Sequence, residues 1–276
     1  MTNNKMMNNK KKLLEDVIFT YDINMENQIC YNNDIKRSEL QIDEGILYGL
    51  SFFETILIKN KGIFITEHIQ RLNNSLNKFN IPIQIEESLI TDLIHYYKLD
   101  NCGLRFQVSH KNIIASARPL PYTREYYDKG VSVSLSPIVK SSESLLVRHK
   151  SSNYGDMYLS LQETRLKGYD DCLFLNEKGY LTESCIANLF VIINDNIYTP
   201  YIEDGILPGI VRSFILEHNA IEEKHITTEE LLHSQGAFLT NSLVGLVDIS
   251  YYNDVKLQKH QLQKQLADLY FKFIES

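Results

Sequence analysis

Lys150 stands in the run Arg148-His149-Lys150-Ser151-Ser152-Asn153-Tyr154, just ahead of a predicted helix. An amine at a helix N-terminus feels the positive end of the dipole and, once desolvated, gives up its proton more readily, which suits a nucleophile and base. A solvated surface lysine is the plain alternative. Glu183 lies in a stretch that reads as one strand from Leu181 to Ile193, where alternation gives it the face of Cys185, Ala187 and Leu189. A carboxylate on such a face must find a cationic or protonated partner or become neutral. A structural ion pair with an arginine explains it as well as a working role does. The loop Ile206-Leu207-Pro208-Gly209-Ile210-Val211-Arg212 feeds a predicted helix whose first amides are unpaired donors suited to a phosphate. Phe238-Leu239-Thr240-Asn241-Ser242 is a strand ending in hydroxyls and an amide, and either segment is also compatible with ordinary turn chemistry. Arg71, three residues after His68, is an anion ligand or part of a solvated helix face.

It is the conjunction that informs. A lysine able to form an imine, an acid for a pyridine nitrogen and an anion site for a phosphate are what pyridoxal 5′-phosphate requires of a protein.

These groups must be positioned by elements that the apolar spacing outlines. Leu47 to Ile58 and Gly62 to Thr66 read as a hairpin, followed by a helix over Glu67 to Phe79 with Ile69, Leu72, Leu76 and Phe79 on one face. A second helix is predicted over about Glu86 to Tyr97, then strands at Leu104 to Ser109 and Asn112 to Ala117. Pro119, Pro121 and the polar stretch to Lys129 read as a linker, with a domain boundary near residue 120. Beyond it come a strand at Val131 to Ser136 and a helix over Asn153 to Lys167, with Asn153 as cap, an apolar face of Tyr154, Met157, Tyr158 and Leu161, and Gly168 closing it. An antiparallel meander over residues 172 to 199 and helices at Ile210 to His218 and Gln261 to Ile274 complete the pattern. The organisation predicted is a disordered leader over 1–15, an N-terminal α+β domain over 16–120 and a C-terminal α+β domain over 121–276 that carries most cofactor contacts.

The composition of the 276 residues, 43% apolar and 23% charged with a net charge of −7, is that of a globular chain large enough to bury its own core. Without a basic stretch beyond Lys10-Lys11-Lys12 there is no footprint for nucleic acid, and no segment approaches the roughly 20 apolar residues of a membrane span. A cytoplasmic location is the default expectation. Cys30, Cys102, Cys172 and Cys185 form no C-x-x-C pair, which argues against a zinc site or a disulfide framework, and Cys185 reads as a small core residue.

The sequence resembles the class IV, or D-amino acid and branched-chain aminotransferase-like, pyridoxal phosphate enzymes from about Asp43 to Ile249. The pieces that carry the resemblance include Phe52-Phe53-Glu54-Thr55, His68-Ile69-Gln70-Arg71-Leu72, Lys150-Ser151-Ser152-Asn153-Tyr154, Thr182-Glu183-Ser184, Leu207-Pro208-Gly209-Ile210-Val211-Arg212 and Thr240-Asn241-Ser242-Leu243. It implies a two-domain, mixed α/β (α+β) class IV aminotransferase-like fold and a homodimer acting on a small amino acid-like substrate. It also implies Lys150 as the Schiff-base lysine, Glu183 on the pyridine nitrogen, and Arg71 with the amides of Ile210 and Val211 and with Ser242 on the phosphate. Thr55, Tyr154 and Asn241 are implied liners of the substrate site, and Arg118 or Arg105 a ligand of the substrate carboxylate. Branched-chain aminotransferases have one residue more between the lysine and the Asn-Tyr. The spacing here resembles that of the D-amino acid aminotransferases and the aminodeoxychorismate lyases, and Asn241-Ser242-Leu243 resembles the 4-amino-4-deoxychorismate lyases of the family, with a D-amino acid or branched-chain transaminase as the alternative. Val211 stands where the family often has a threonine, so a phosphate hydroxyl is missing.

Overall fold

The computed structural model describes residues 17–22, 29–30 and 40–275, so the expected leader lies outside the described residues. Two compact units divide the chain. One holds residues up to Pro121 together with Lys150–Asn153, and the other holds Tyr122–His149 and everything from Tyr154 onward.

In the first unit a six-stranded sheet has the order β2-β1-β6-β5-β3-β4. Its strands are β1 (Val17–Asp22), β2 (Ile29–Cys30), β3 (Phe52–Lys59), β4 (Lys61–Gly62), β5 (Cys102–Val108) and β6 (Ile113–Pro119). One face, with Phe52, Ile56, Leu104, Phe106 and Ala115, packs against helix α2 (Ile65–Lys78) through the buried Ile69, Leu72 and Leu76. Helix α3 (Glu87–Tyr96) adds Leu89, Ile90 and Leu93 to this core. The expected first strand is shorter than predicted because residues 44–48 form helix α1 (Glu44–Tyr48), capped by the Asp43 carboxylate and closed by Gly49 at φ 69°. The expected partner strand also stops early, at Gly62, and Ile65 and Thr66 already belong to α2.

The second unit carries a nine-stranded sheet built from β7 (Val131–Lys140), β8 (Asp171–Asn176), β9 (Leu181–Ser184), β10 (Asn188–Ile193), β11 (Asn196–Thr199), β12 (Ile221–Glu223), β13 (Gly236–Asn241), β14 (Gly245–Tyr252) and β15 (Val255–Lys256). The order is β12-β11-β10-β13-β14-β7-β8-β9, with β15 on β14. Strand β9 also pairs with β10, so six strands close into a ring, and the closing pair is Glu183 opposite Asn188. Leu189, Val191, Ala237, Leu239, Val247, Ile249, Val131 and Val133 form one core. β10 is buried on both faces, as a continuous apolar run demands. The unit's helices are α4 (Arg124–Lys129), α5 (Gly155–Leu166), α6 (Ile210–His218), α7 (Thr228–Leu232) and α8 (Gln261–Glu275).

Three expectations need correction here. The presumed linker after Pro121 contains α4, nucleated by the Thr123 hydroxyl accepting from the Tyr126 amide. The single strand over 181–193 is two strands, because the Ser184 hydroxyl accepts the amides of Ile186 and Ala187 and turns the chain. Helix α5 begins at Gly155 with Tyr154, not Asn153, at its cap, and Tyr158 is exposed; its buried positions are Ser160 and Thr164, while Met157 and Leu161 pack on Cys172, Phe174 and Cys185.

Candidate active site

Within the first unit, strand alternation sorts the candidate residues. The register pairs Phe53 with Gln107, Thr55 with Arg105, Arg105 with Ser116 and Gly103 with Arg118, so all of these share the sheet face opposite the α2 side. Arg105 sits with its guanidinium carbon 3.5 Å from the Phe53 ring centroid, and it donates to the Gln107 side chain at 3.1 Å. Lys150 approaches the same ring, its Nζ 4.6 Å from the centroid. The backbone fixes this lysine more firmly than a helix end would. The Phe53 amide donates to the Lys150 carbonyl at 2.8 Å, the Ser152 amide donates to the Ser51 carbonyl at 2.8 Å, and Ser151 bridges Phe52. The residues 150–153 thus act as a short added strand on β3.

On the other face of β3, Glu54 is buried beneath α2. Arg71 donates to it from Nε at 2.8 Å and Nη2 at 2.7 Å, a bidentate pair that fixes the guanidinium plane. His68 Nδ1 lies 2.7 Å from the same carboxylate. Burial alone would raise the Glu54 carboxyl, but the Arg71 and His68 charges and hydrogen bonds bring it down to about 2. Burial pushes the His68 imidazole down against the pull of Glu54. A carboxylate can only accept, so Nδ1 carries the imidazole proton, and the buried Nε2 has no hydrogen-bond partner among the described residues. Arg118 is exposed, and Thr55 and Arg105 are half-buried.

In the second unit Glu183 is buried at the closure of the strand ring. Lys140, at the end of β7, donates from Nζ to its Oε1 at 2.5 Å. Its Oε2 accepts from Asn188 Nδ2 at 3.0 Å and from the Leu207 amide at 3.1 Å. The partner cation is therefore a lysine rather than the arginine considered from the sequence. Lys140 escapes the sequence reading because it stands 43 positions from Glu183 and no local pattern joins them, whereas Asn188 lies in the same motif as Glu183.

Asn188 also links Glu183 to the start of α6, since its amide donates to the Leu207 carbonyl at 2.9 Å. A β-carbon on Gly209 would collide with the Asn188 side-chain amide, which Glu183 and the Leu207 carbonyl hold in place, so a larger residue would disturb that link. Among the described residues no side chain caps α6, and its first-turn amides, those of Ile210 and Val211, are unclaimed by a cap. Helix α6 packs on β13, whose Thr240 hydroxyl is buried with no hydrogen-bond partner among the described residues. Ser242 follows in the β13–β14 turn. The Asn241 side-chain oxygen organises that turn, accepting the amides of Leu243 and Val244 at 2.9 Å each. The Tyr154 hydroxyl donates to the Cys185 carbonyl.

A buried, charge-compensated carboxylate and an uncapped helix start opened by a glycine in one unit, and a lysine anchored by backbone pairing in the other, are each of the kind that pyridoxal phosphate requires. The sequence profile of the amino-transferase class IV family matches residues 51–252, and the chain belongs to that family. Its enzymes depend on pyridoxal 5′-phosphate. Among its relatives, the aminodeoxychorismate lyase of Bacillus subtilis is 26% identical over 265 residues, covering 85% of this chain and 89% of the other. The branched-chain-amino-acid aminotransferase of Pseudomonas aeruginosa is 25% identical over 262 residues, covering 82% and 85%. A Legionella pneumophila structure bearing the name of a 4-amino-4-deoxychorismate lyase superposes with a TM-score of 0.78 at 25% identity, over 93% of this chain and 99% of that one. No helix among the described residues is long and apolar enough to cross a membrane.

Proposed function

We propose that the chain is a pyridoxal phosphate-dependent lyase that converts 4-amino-4-deoxychorismate to 4-aminobenzoate and pyruvate, a step toward folate, in the cytoplasm and as a homodimer. The observation that carries this reading is the polar, cationic sheet face of Phe53, Thr55, Arg105, Gln107, Ser116 and Arg118, with Lys150 over the Phe53 ring. Two arginines on one face suit a substrate with two carboxylates, whereas an aliphatic side chain would gain little by burial against them. The spacing of Lys150 to Asn153 argues against a branched-chain aminotransferase, and Asn241-Ser242-Leu243 supports the lyase.

In this reading Lys150 carries the cofactor and Glu183 holds the pyridine N–H. Arg71, the Ile210 and Val211 amides and Ser242 hold the phosphate, and most of these contacts belong to the C-terminal domain. When bound, the cofactor supplies an electron sink for the carbon that bears the substrate amine. Lys150 would then take the proton from this carbon at Nζ. The C–O bond to the enolpyruvyl group then breaks, the ring becomes aromatic, and Lys150 can return the proton to the departing enol. Arg105 and Arg118 hold the carboxylates, and Thr55, Tyr154 and Asn241 line the substrate. Because Asn241 spends its oxygen on the turn, its part would be played by its Nδ2.

A transaminase acting on D- or branched-chain amino acids is the second reading, favoured by the comparable identity to a branched-chain aminotransferase. Purified protein coupled to an aminodeoxychorismate synthase decides between them. Release of 4-aminobenzoate and pyruvate is expected; amino transfer to 2-oxoglutarate without those products would overturn the lyase reading.

A further inference from the structure

Cys172 and Cys185 play no part in the chemistry above, yet their sulphurs lie 3.4 Å apart and both residues are buried. The register explains why. Leu173 pairs with Ser184 across the antiparallel β8 and β9, so the next pair outward sets Cys172 opposite Cys185. The two backbone amides share one side-chain acceptor. Both donate to the Asp171 Oδ1, at 2.8 Å from Cys172 and 3.2 Å from Cys185, which pins the two backbones side by side.

The geometry points to a dithiol site oxidised reversibly by a small peroxide, whose closure as a disulfide locks the turn that follows Glu183. A bound metal suits the same atoms less well. Among the described residues a metal here would find two thiolates and one carboxylate oxygen, and that oxygen, Asp171 Oδ1, is already engaged by two amides. A disulfide needs the sulphurs to approach to about 2.05 Å, a movement that a turn residue can supply. Cys185 opens the turn over residues 185–187, and its neighbour Ile186 is 41% exposed, so solvent lies one residue away. The hydrogen bond between the sulphurs holds the Cys172 thiol below its usual range and pushes Cys185 up, so Cys172 is the readier thiolate once movement of the 185–187 turn admits the peroxide to its buried sulphur.

The Cys172 thiolate attacks one peroxide oxygen, the O–O bond breaks, and the departing hydroxide takes up the proton that Cys172 gave up, leaving as water. Cys185 sulphur then displaces hydroxide from the resulting sulfenic acid, losing its own proton, and the second water leaves. Two thiols lose two electrons and two protons, and the peroxide is reduced to two waters. Closing the bond tethers the far side of the turn to β8. Local opening of residues 184–188 then becomes less favourable, because the cross-link restricts the opened state.

The test treats the protein as purified with hydrogen peroxide, alkylates the remaining thiols and maps peptides by mass spectrometry, alongside hydrogen exchange of the segment 181–191. A Cys172–Cys185 cross-link, lighter by two hydrogens than the separate peptides and reversed by dithiothreitol, is expected. Cys102, whose thiol burial pushes up to about 11, should remain alkylated. Exchange at residues 184–188 should slow several-fold in the oxidised form and be unaffected by peroxide in Cys185→Ser. Sulfinic acid or unmodified thiols without the cross-link would overturn the site, and a cross-link with exchange unchanged or faster would overturn the lock. Both readouts are independent of cofactor and substrate, so failure of the lyase reading leaves this outcome distinct.

Discussion

Each unit buries one ion pair that the proposed chemistry uses, and the two pairs assign opposite roles to their partners. In the first unit Glu54 grips Arg71 by two hydrogen bonds, so the carboxylate is the holder and the guanidinium the working group. In the second unit Lys140 grips Glu183, so the ammonium is the holder and the carboxylate the working group. The difference follows from what each must meet: a phosphate needs a fixed cation, and a protonated pyridine needs a fixed anion. A buried pair of either kind contributes little to stability by itself, but breaking one strands the survivor. Holder and worker should therefore separate under mutation.

The largest effect is expected at the lysine that belongs to neither pair. Lys150→Ala should lower kcat by more than about 10⁴-fold and abolish the visible absorbance that borohydride bleaches, with the thermal midpoint unchanged. Next, Glu183→Gln should lower kcat by about 10² to 10³-fold. Lys140→Met should instead destabilise the fold by about 3 to 5 kcal/mol, measured by urea denaturation, with a smaller fall in kcat. If both variants lost the same activity and the same stability, the division into holder and worker would fail.

Glu54→Gln should cost on the order of 3 kcal/mol at neutral pH and weaken cofactor retention. The folded-state pKa of Glu54 lies at about 2, below the ordinary 4.5, so its pairing stabilises the fold fully above 4.5 and is lost as pH falls through 2. The stability gap between wild type and Glu54→Gln should accordingly close over that window in acid titrations; a gap that persists at pH 2 would show that Glu54 acts otherwise. The smallest effect is expected at the exposed Arg118. Arg118→Ala should raise KM about tenfold with kcat unchanged, and a fall in kcat instead would assign it a part in the reaction itself.

Elements with strong apolar periodicity were legible in the sequence. Helix α6 runs over the predicted Ile210 to His218, and α2 buries the predicted Ile69, Leu72 and Leu76. Short helices escaped because caps, not periodicity, create them: Asp43 starts α1 and Thr123 starts α4. The break in the strand after Glu183 depends on one hydroxyl, Ser184, catching two amides. Of the proposed site, Lys150, Glu183 and the Gly209 loop stand out in the sequence by residue type and motif. Lys140 and the facing sulphurs of Cys172 and Cys185 did not, since strand register alone brings them to their partners. Lys150 was legible as a residue but not in its anchoring, because the pairing of residues 150–153 with Ser51 to Phe53 spans a hundred positions of chain.

Two lysines ten positions apart, Lys140 and Lys150, are the natural contenders for covalent attachment of the cofactor, and the division into holder and worker requires that only Lys150 be attached. Borohydride reduction of the protein loaded with pyridoxal 5′-phosphate, followed by peptide mapping, tests it directly. The phosphopyridoxyl group is predicted on Lys150 with Lys140 unmodified; a group fixed to Lys140, or none on either, would contradict the account.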